Sequence, residues 1–428
     1  MIKQILDLHI HSRYSRACSK NLSLPSIAEA CEIRGVDIVA TGDFTHPAWF
    51  EHIKESLVEV SDGIFEIKEK RRKDAKEIKK LKTKFILGTE LSCIKKDQGK
   101  TRRLHLCVFA PNLAVAEKFN NTLVEMGFNL RSDGRPILGL TARELLQIML
   151  DVDERLYMVP AHIWTPWFGL FGSKGGYDSL DEAFGDLKKH IFAVETGLSS
   201  DPPMNWRVSE LDDLTLVSNS DAHSTAKIGR EANVLQFSDT KQITYDSIFE
   251  KIKTKKDFLY TIEFYPEEGK YHYDGHRDCE FFCDPIQTAK LKGICPKCKK
   301  PLVIGVENRI YELGDRNDAE LKKITKQKTP FKSLVPLPEI LADLYGCGVN
   351  TKKVNNKYDE MIVDLGNEFF ILLDLPIKEI DKKAGADVAR AIDKVRRGDI
   401  FVRPGYDGEF GRVKVFAGDD KYKMKQLK

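Results

Sequence analysis

At 428 residues, with 42% hydrophobic and 31% charged, the chain is too long for one small core and too apolar to be disordered, so two or three domains are expected. No apolar run approaches the ~20 residues of a membrane helix and the amino terminus has no signal-peptide pattern, so the expectation is a cytoplasmic protein with no membrane partner. A net charge of +3 is too small for the total to argue for a polyanionic partner, which leaves that question to local clusters.

The chain opens on Ile5-Leu6-Asp7-Leu8-His9-Ile10-His11. Alternate strand residues share a face, so a β-prone run ending in His-x-His aims two imidazoles the same way, which is half a metal site. Residues 25–35 follow as a helix, with Pro near the start and Gly at the end. Apolar runs that end in a donor then recur. Residues 36–42 lead to Asp43 and His46, 85–89 to Glu90, and 104–109 hold His105 within the run. Residues 158–161 lead to His162, 191–194 to Glu195, and 214–220 to Asp221 and His223. Residues 114–126 and 141–151 read as helices between them. This strand-then-helix order is that of an α/β domain, where reactive groups gather at the carboxyl ends of strands. Imidazoles mixed with carboxylates suit zinc, manganese or iron, and more than four donors imply more than one ion. Clustered divalent ions are a recurring solution to phosphoester hydrolysis.

Two stretches of this half carry a second message. Residues 68–84 include Arg71, Arg72, Lys73, Lys76, Lys79 and Lys80, a helix whose plain reading is a solvated face and whose sharper one is contact with a phosphate backbone. The loop 163–177, dense in aromatics and glycine, follows His162 directly. Its Trp164 and Trp167 would either stack on a nucleic-acid base beside the metals or be buried on the barrel shoulder.

Further on, Cys279-x-x-x-Cys283 and Cys295-Pro296-Lys297-Cys298 have the spacing of a zinc ribbon rather than of disulfides. Four thiolates around one structural zinc would stabilise a module too small for its own core, and His276 or His272 could stand in for Cys283. The basic stretch 322–328 is a linker or a phosphate grip. From 338 to 395 the pattern is mostly amphipathic helix, with a buried-looking run at 369–373 and a small-residue helix start at 385–392.

His9-x-His11, Thr41-Gly42-Asp43 with His46, Glu90, His105, His162, Glu195 and Ser220-Asp221-Ala222-His223 together resemble the motifs of the PHP (polymerase and histidinol phosphatase) superfamily of metal-dependent phosphoesterases. The later strings, residues 269–277, 293–298, 336–340 and 403–411, with 196–206, extend the resemblance over nearly the whole chain to endonuclease Q. Two positions depart from the superfamily pattern: Arg16-Ala17-Cys18-Ser19 stands where many members have a histidine, and Asp43 and His46 are separated where many have adjacent Asp-His.

The resemblance implies a distorted seven-stranded β/α barrel over 1–264, a zinc-ribbon module over 265–318 and a mostly helical domain over 319–428. It implies two or three divalent ions (zinc, manganese, magnesium or iron) besides the structural zinc. Glu90 would bridge, with His9, His11 and Asp221 on one ion and His105 and His162 on the next. Glu195 is a ligand or an orienter, and a third ion would use Asp43 or His46 with His223. Glu90, Asp221 and His223 are the expected catalytic groups. The implied activity is a DNA repair nuclease that nicks on the 5′ side of uracil, hypoxanthine, xanthine or an abasic site, flipping the damaged base from the stack. Trp164, Trp167, Asn205 and Trp206 are the candidate DNA contacts. A sliding clamp is a candidate partner, although residues 421–428 carry no clear clamp-binding signature. The rival readings are a small-molecule phosphatase, which needs no zinc ribbon, a lesion-binding adaptor that does not cut, and a nuclease that recognises ends or flaps.

Overall fold

The computed structural model describes residues 1–68 and 81–416. Most of the basic run 68–84, and residues 421–428, therefore lie outside the described residues. The described residues divide into two compact units: residues 1–32, 36–262 and 313–331, with 69–80 left out, form the first, and 33–35, 263–312 and 332–416 form the second.

The first unit is mixed α/β. Its strands are β1 (Ile2–Asp7), β2 (Ile38–Ala40), β3 (Leu57–Ser61), β4 (Ile64–Ile67), β5 (Lys84–Asp97), β6 (Lys100–Ala110), β7 (Ile137–Leu138), β8 (Tyr157–Pro160), β9 (Ala193–Glu195), β10 (Thr215–Val217), β11 (Ala232–Phe237) and β12 (Phe258–Glu263). β1 pairs in parallel with β2, β2 with β5, and β9 with β10. β11 pairs antiparallel with β1 and β12, and β6 antiparallel with β5 and β8. The antiparallel β5–β6 hairpin departs from the strand-then-helix order read from the sequence. Its cause is local: Gln98 and Gly99 both adopt positive φ, 49° and 79°, the conformation a two-residue hairpin turn requires.

Alternation along the strands explains how the core and the site share one face. On β5, Ile86 enters the apolar cluster and Glu90, four residues on, points the same way; on β6, Phe109 and Cys107 enter it and His105 continues the row. Ala193 and Glu195 repeat the pattern on β9. The row is apolar over one stretch of the strand and turns polar further along, within β5 and β6 and at the end of β9. The helix Tyr245–Thr254 packs against the same cluster through Tyr245, Ile248, Phe249 and Ile252, the i, i+3, i+4, i+7 positions of one helical face, each worth ~1.5–3 kcal/mol of burial. Thr244 and Ser247 close its amino end as a capping box. The helices Leu24–Arg34, Leu113–Glu125 and Ala142–Val152 lie within a residue or two of the stretches read as helical.

The second unit joins what the sequence reading separated. A hairpin, β13 (Asp274–His276) with β14 (Phe281–Cys283), precedes the helices Leu337–Tyr345, Lys352–Leu365, Ile377–Ala384 and Ala386–Arg396. The chain then returns: Tyr273 bridges to Tyr406, and the Gly405 amide donates to the Glu267 carbonyl at 2.7 Å. These backbone links tie the segment around 267–273 to the turn at 405–406, and the helices between them belong to the same compact unit. Residues 313–331 instead belong to the first unit, where Arg316 and Lys328 both pair with Asp212 and the Ser209 amide donates to Asp315 at 2.9 Å. Lys328, the last residue of the basic stretch 322–328, is thus engaged within the protein.

Candidate metal centre

Glu90 sits at the middle of the donor set, almost fully buried. Its Oε1 lies 2.8 Å from His105 Nδ1 and 3.1 Å from His162 Nε2; its Oε2 lies 3.2 Å from His11 Nε2 and 3.5 Å from His9 Nε2. Asp221 Oδ1 completes the second side, 3.0 Å from His11 Nε2 and 3.6 Å from His9 Nε2. One carboxylate therefore faces two imidazole pairs, one with each oxygen, which is the arrangement of a bridge between two ions.

The donor set fits divalent metal. Ligands held ~2.1 Å from a tetrahedral ion stand ~3.4 Å apart, the spacing seen across His9, His11, Glu90 and Asp221. His9 Nε2 is buried without a hydrogen bond, although two carboxylates lie just beyond reach. A buried nitrogen in that state is costly unless something fills the gap. The charges are strongly linked. Burial alone would raise the Glu90 carboxyl, but His105, His9 and Arg135 outweigh it and hold the pKa well below the usual range. Burial opposes protonation of His11, yet Asp43, Asp221 and Glu90 lift it well above the ordinary imidazole value, whereas burial pushes His105 down to about 4.

Around this centre sit residues that orient the donors. Glu195 accepts from His9 Nδ1 and from the His162 amide, both at 3.0 Å, and from Asn219 Nδ2 at 2.8 Å, so it fixes His9 from behind. Asp43 faces His11 Nδ1 at 3.1 Å and accepts from the Ser12 amide at 2.6 Å and Ser15 Oγ at 2.8 Å. With both oxygens engaged, Asp43 aligns His11; among the described residues it joins no group of donors close enough to share an ion. The same holds for His46, whose ring stacks on Tyr14 at 4.3 Å, and for His223, whose Nδ1 turns to the Asp221 carbonyl at 2.8 Å. The expected third group of ligands is thus not assembled here.

Asp43, His162 and Asp221 carry positive φ of 48°, 31° and 46°, a conformation costing of order 1 kcal/mol or more for residues with a side chain. All three lie just past strands, where such bends aim the side chain at the centre. Gly197 makes room for one of them: a Cβ there would stand 2.4 Å from the His162 Cβ.

The sequence reading missed Arg135, which pairs with Glu90 at 2.9 Å, and Cys107, whose sulfur groups with His9 and Glu195. The expected DNA contacts divide. Trp164 and Asn205 are fully buried and hydrogen-bonded to each other at 2.7 Å, and Trp206 is nearly buried, so none offers a face to a base. Their aromatic and amide groups instead brace the loop. Trp167 is 53% exposed, with Lys174 Nζ 5.7 Å from its ring centre, and its neighbour Phe168 stacks on His105 at 4.3 Å.

In the second unit, His276, Cys279, Cys295 and Cys298 bring four donor atoms within 4.8 Å of one another. Cys283 is not among them; it is buried with its sulfur 3.2 Å from Thr288 Oγ1. The strand β14 turns its side chain inward, towards Cys295 and Leu302, and His276 on the paired strand takes the open corner.

Over its whole length the chain is similar to two solved structures. One is the lesion-specific endonuclease PfuEndoQ from Pyrococcus furiosus, 32% identical, with 96% of this chain and 95% of that one matched at a TM-score of 0.83. This chain belongs to the endonuclease Q family. The other is endonuclease Q in complex with a 27-mer duplex substrate with an abasic lesion at the active site, 31% identical and matched over all of both chains at a TM-score of 0.80. Residues 336–399 match the family described as the MJ0043 C-terminal domain. The Methanocaldococcus jannaschii protein MJ0043 is itself 34% identical over 255 residues, 58% of this chain, and the chain spans 31% of that protein's length. The expectation raised by the later strings is therefore met at the level of the family.

Proposed function

We propose that this protein is a metal-dependent DNA repair endonuclease that hydrolyses the backbone beside a deaminated base or an abasic site. The observation that carries the reading is Glu90, offering each oxygen to a separate pair of imidazoles in a chain whose whole-length relatives are lesion endonucleases. His9, His11, Glu90 and Asp221 would hold one divalent ion, and Glu90, His105 and His162 a second. Ions bound there supply concentrated positive charge for phosphodiester hydrolysis. His276, Cys279, Cys295 and Cys298 would hold a structural zinc.

The chain's own groups then have defined parts. Arg135, partly exposed beside Glu90, presents a guanidinium to a phosphoryl oxygen. His223 donates its Nδ1 proton to the Asp221 carbonyl, which leaves Nε2 as an acceptor, and burial lowers its pKa so that the ring is neutral near pH 7. A neutral Nε2 at this edge can take a proton from an attacking water. Glu195 and Asp43 hold His9 and His11 in register throughout. Trp167 offers an exposed face next to the centre on which a base can stack.

Matched duplexes carrying one uracil, one hypoxanthine, one abasic site or none, assayed with zinc, manganese and magnesium, test the reading. A nick confined to the lesion strand supports it. Turnover of a small phosphomonoester with no action on any duplex overturns it.

A further inference from the structure

The second unit exposes an aromatic residue that the metal chemistry does not use. Phe410 is 70% exposed, the Nζ of Lys270 stands 4.4 Å from its ring centre, and Tyr271 beside it is 44% exposed. A lone exposed aromatic is ordinary, but this one belongs to a built surface. The turn carrying it is fastened to the segment carrying Lys270 and Tyr271 by backbone hydrogen bonds: Gly405 N to Glu267 O at 2.7 Å, Gly408 N to Lys270 O at 3.0 Å and Gly411 N to Glu268 O at 3.1 Å. The Asp407 carboxylate adds a side-chain hydrogen bond, accepting from the Arg277 amide at 2.7 Å. The approach is so close that a Cβ on Gly411 would stand 1.9 Å from the Glu267 carbonyl oxygen, so glycine is required there. A Cβ on Gly408 would meet Arg277 Nη1 at 3.8 Å and the Tyr271 hydroxyl at 3.9 Å, which shows that these groups converge on the same spot.

We propose that Phe410, with Lys270 and Arg277, is a stacking platform for an unpaired base of the DNA substrate. The inference rests on the nuclease reading and extends it to a surface in the other unit. Every nucleobase has a π face that an exposed phenyl ring can cover, and an ammonium over the ring together with an exposed guanidinium suits the phosphates flanking that base. Because the turn is already fixed, stacking orders little further chain, so more of the contact energy remains as affinity. A lesion whose base has left the helix, or is missing, leaves the opposite base without a pairing partner, and that is the base the platform fits.

The test uses the full chain. Cutting of an abasic duplex by the wild type is established first; the dissociation constant is then measured with calcium in place of the catalytic ion, using 2-aminopurine opposite the lesion as a stacking probe. Phe410→Ala is expected to bind about 5- to 150-fold more weakly and to lose the fluorescence change, the range that stacking on one base is worth, while Phe410→Trp behaves as the wild type. At 70% exposure Phe410 contributes little to packing, so retained thermal stability accompanies the loss. If the wild type cuts and Phe410→Ala binds and reports stacking unchanged, the platform is refuted and the nuclease reading stands. If the wild type neither binds nor cuts lesion duplex, both are refuted.

Discussion

Arg135 donates through Nη1 to Oε2 of Glu90 at 2.9 Å, the same oxygen that lies 3.2 Å from His11 Nε2. The guanidinium thus offers positive charge to a carboxylate that a metal ion would also claim. Removing one partner of a largely buried pair costs roughly 3–5 kcal/mol when nothing replaces it. Arg135→Ala is therefore expected to melt well below the wild type in chelator and to recover most of the difference when divalent metal is restored, since the ion takes over the neutralising part. Equal losses with and without metal, read by calorimetry, would show that Arg135 is only a packing residue.

The second-unit cluster makes a discriminating prediction about ligands. His276→Ala should lose one zinc per chain by elemental analysis, and the protein should become sensitive to proteolysis in that unit, because a thiolate site of this size holds its module folded. Cys283→Ser should keep the zinc, as its sulfur meets Thr288 Oγ1 at 3.2 Å and is not among the four donor atoms that lie within 4.8 Å of one another. The reverse pattern would restore Cys283 as the fourth ligand.

Asp201 gives a pH dependence whose sign is fixed. It caps the short helix Pro202–Asn205, accepting from the Met204 amide at 3.0 Å, and burial pushes its carboxyl up to about 6 from 3.8. A carboxyl raised in the folded state contributes stability that is complete below about 4 and lost as pH rises through about 6. Asn caps equally well and does not titrate. Asp201→Asn should therefore match the wild type near pH 4 and exceed it near pH 7.5 by about 1–2 kcal/mol after discounting for solvent screening. Thermal melts across that range decide it; a mutant less stable at pH 7.5 contradicts the shift.

What the sequence made legible was the periodic part. Runs such as 85–89 before Glu90 announce both a buried strand and the polar side chain that follows on the same face, although the strand itself continues to Asp97. Asp43 shows the limit, because residue type does not reveal which partner a donor meets first: its oxygens are engaged by Ser12, Ser15 and His11. Trp164 and Asn205 misled for a related reason, since a loop rich in aromatics reads the same whether its rings face solvent or each other. Arg135 escaped notice because it lies in an aperiodic loop; the one signal was the turn string Asp133-Gly134-Arg135-Pro136, whose glycine lets the chain pass so close that a Cβ there would stand 2.4 Å from Asp43 Oδ2.

Single-turnover nicking of an abasic duplex by Glu90→Gln, measured alongside bound-metal content, asks whether Glu90 joins two metal-binding halves into one nuclease centre. Cutting is expected to fall by about a thousandfold or more, with loss of active-site metal and the second-unit zinc retained. Cutting at the wild-type rate with the active-site metal gone would contradict it.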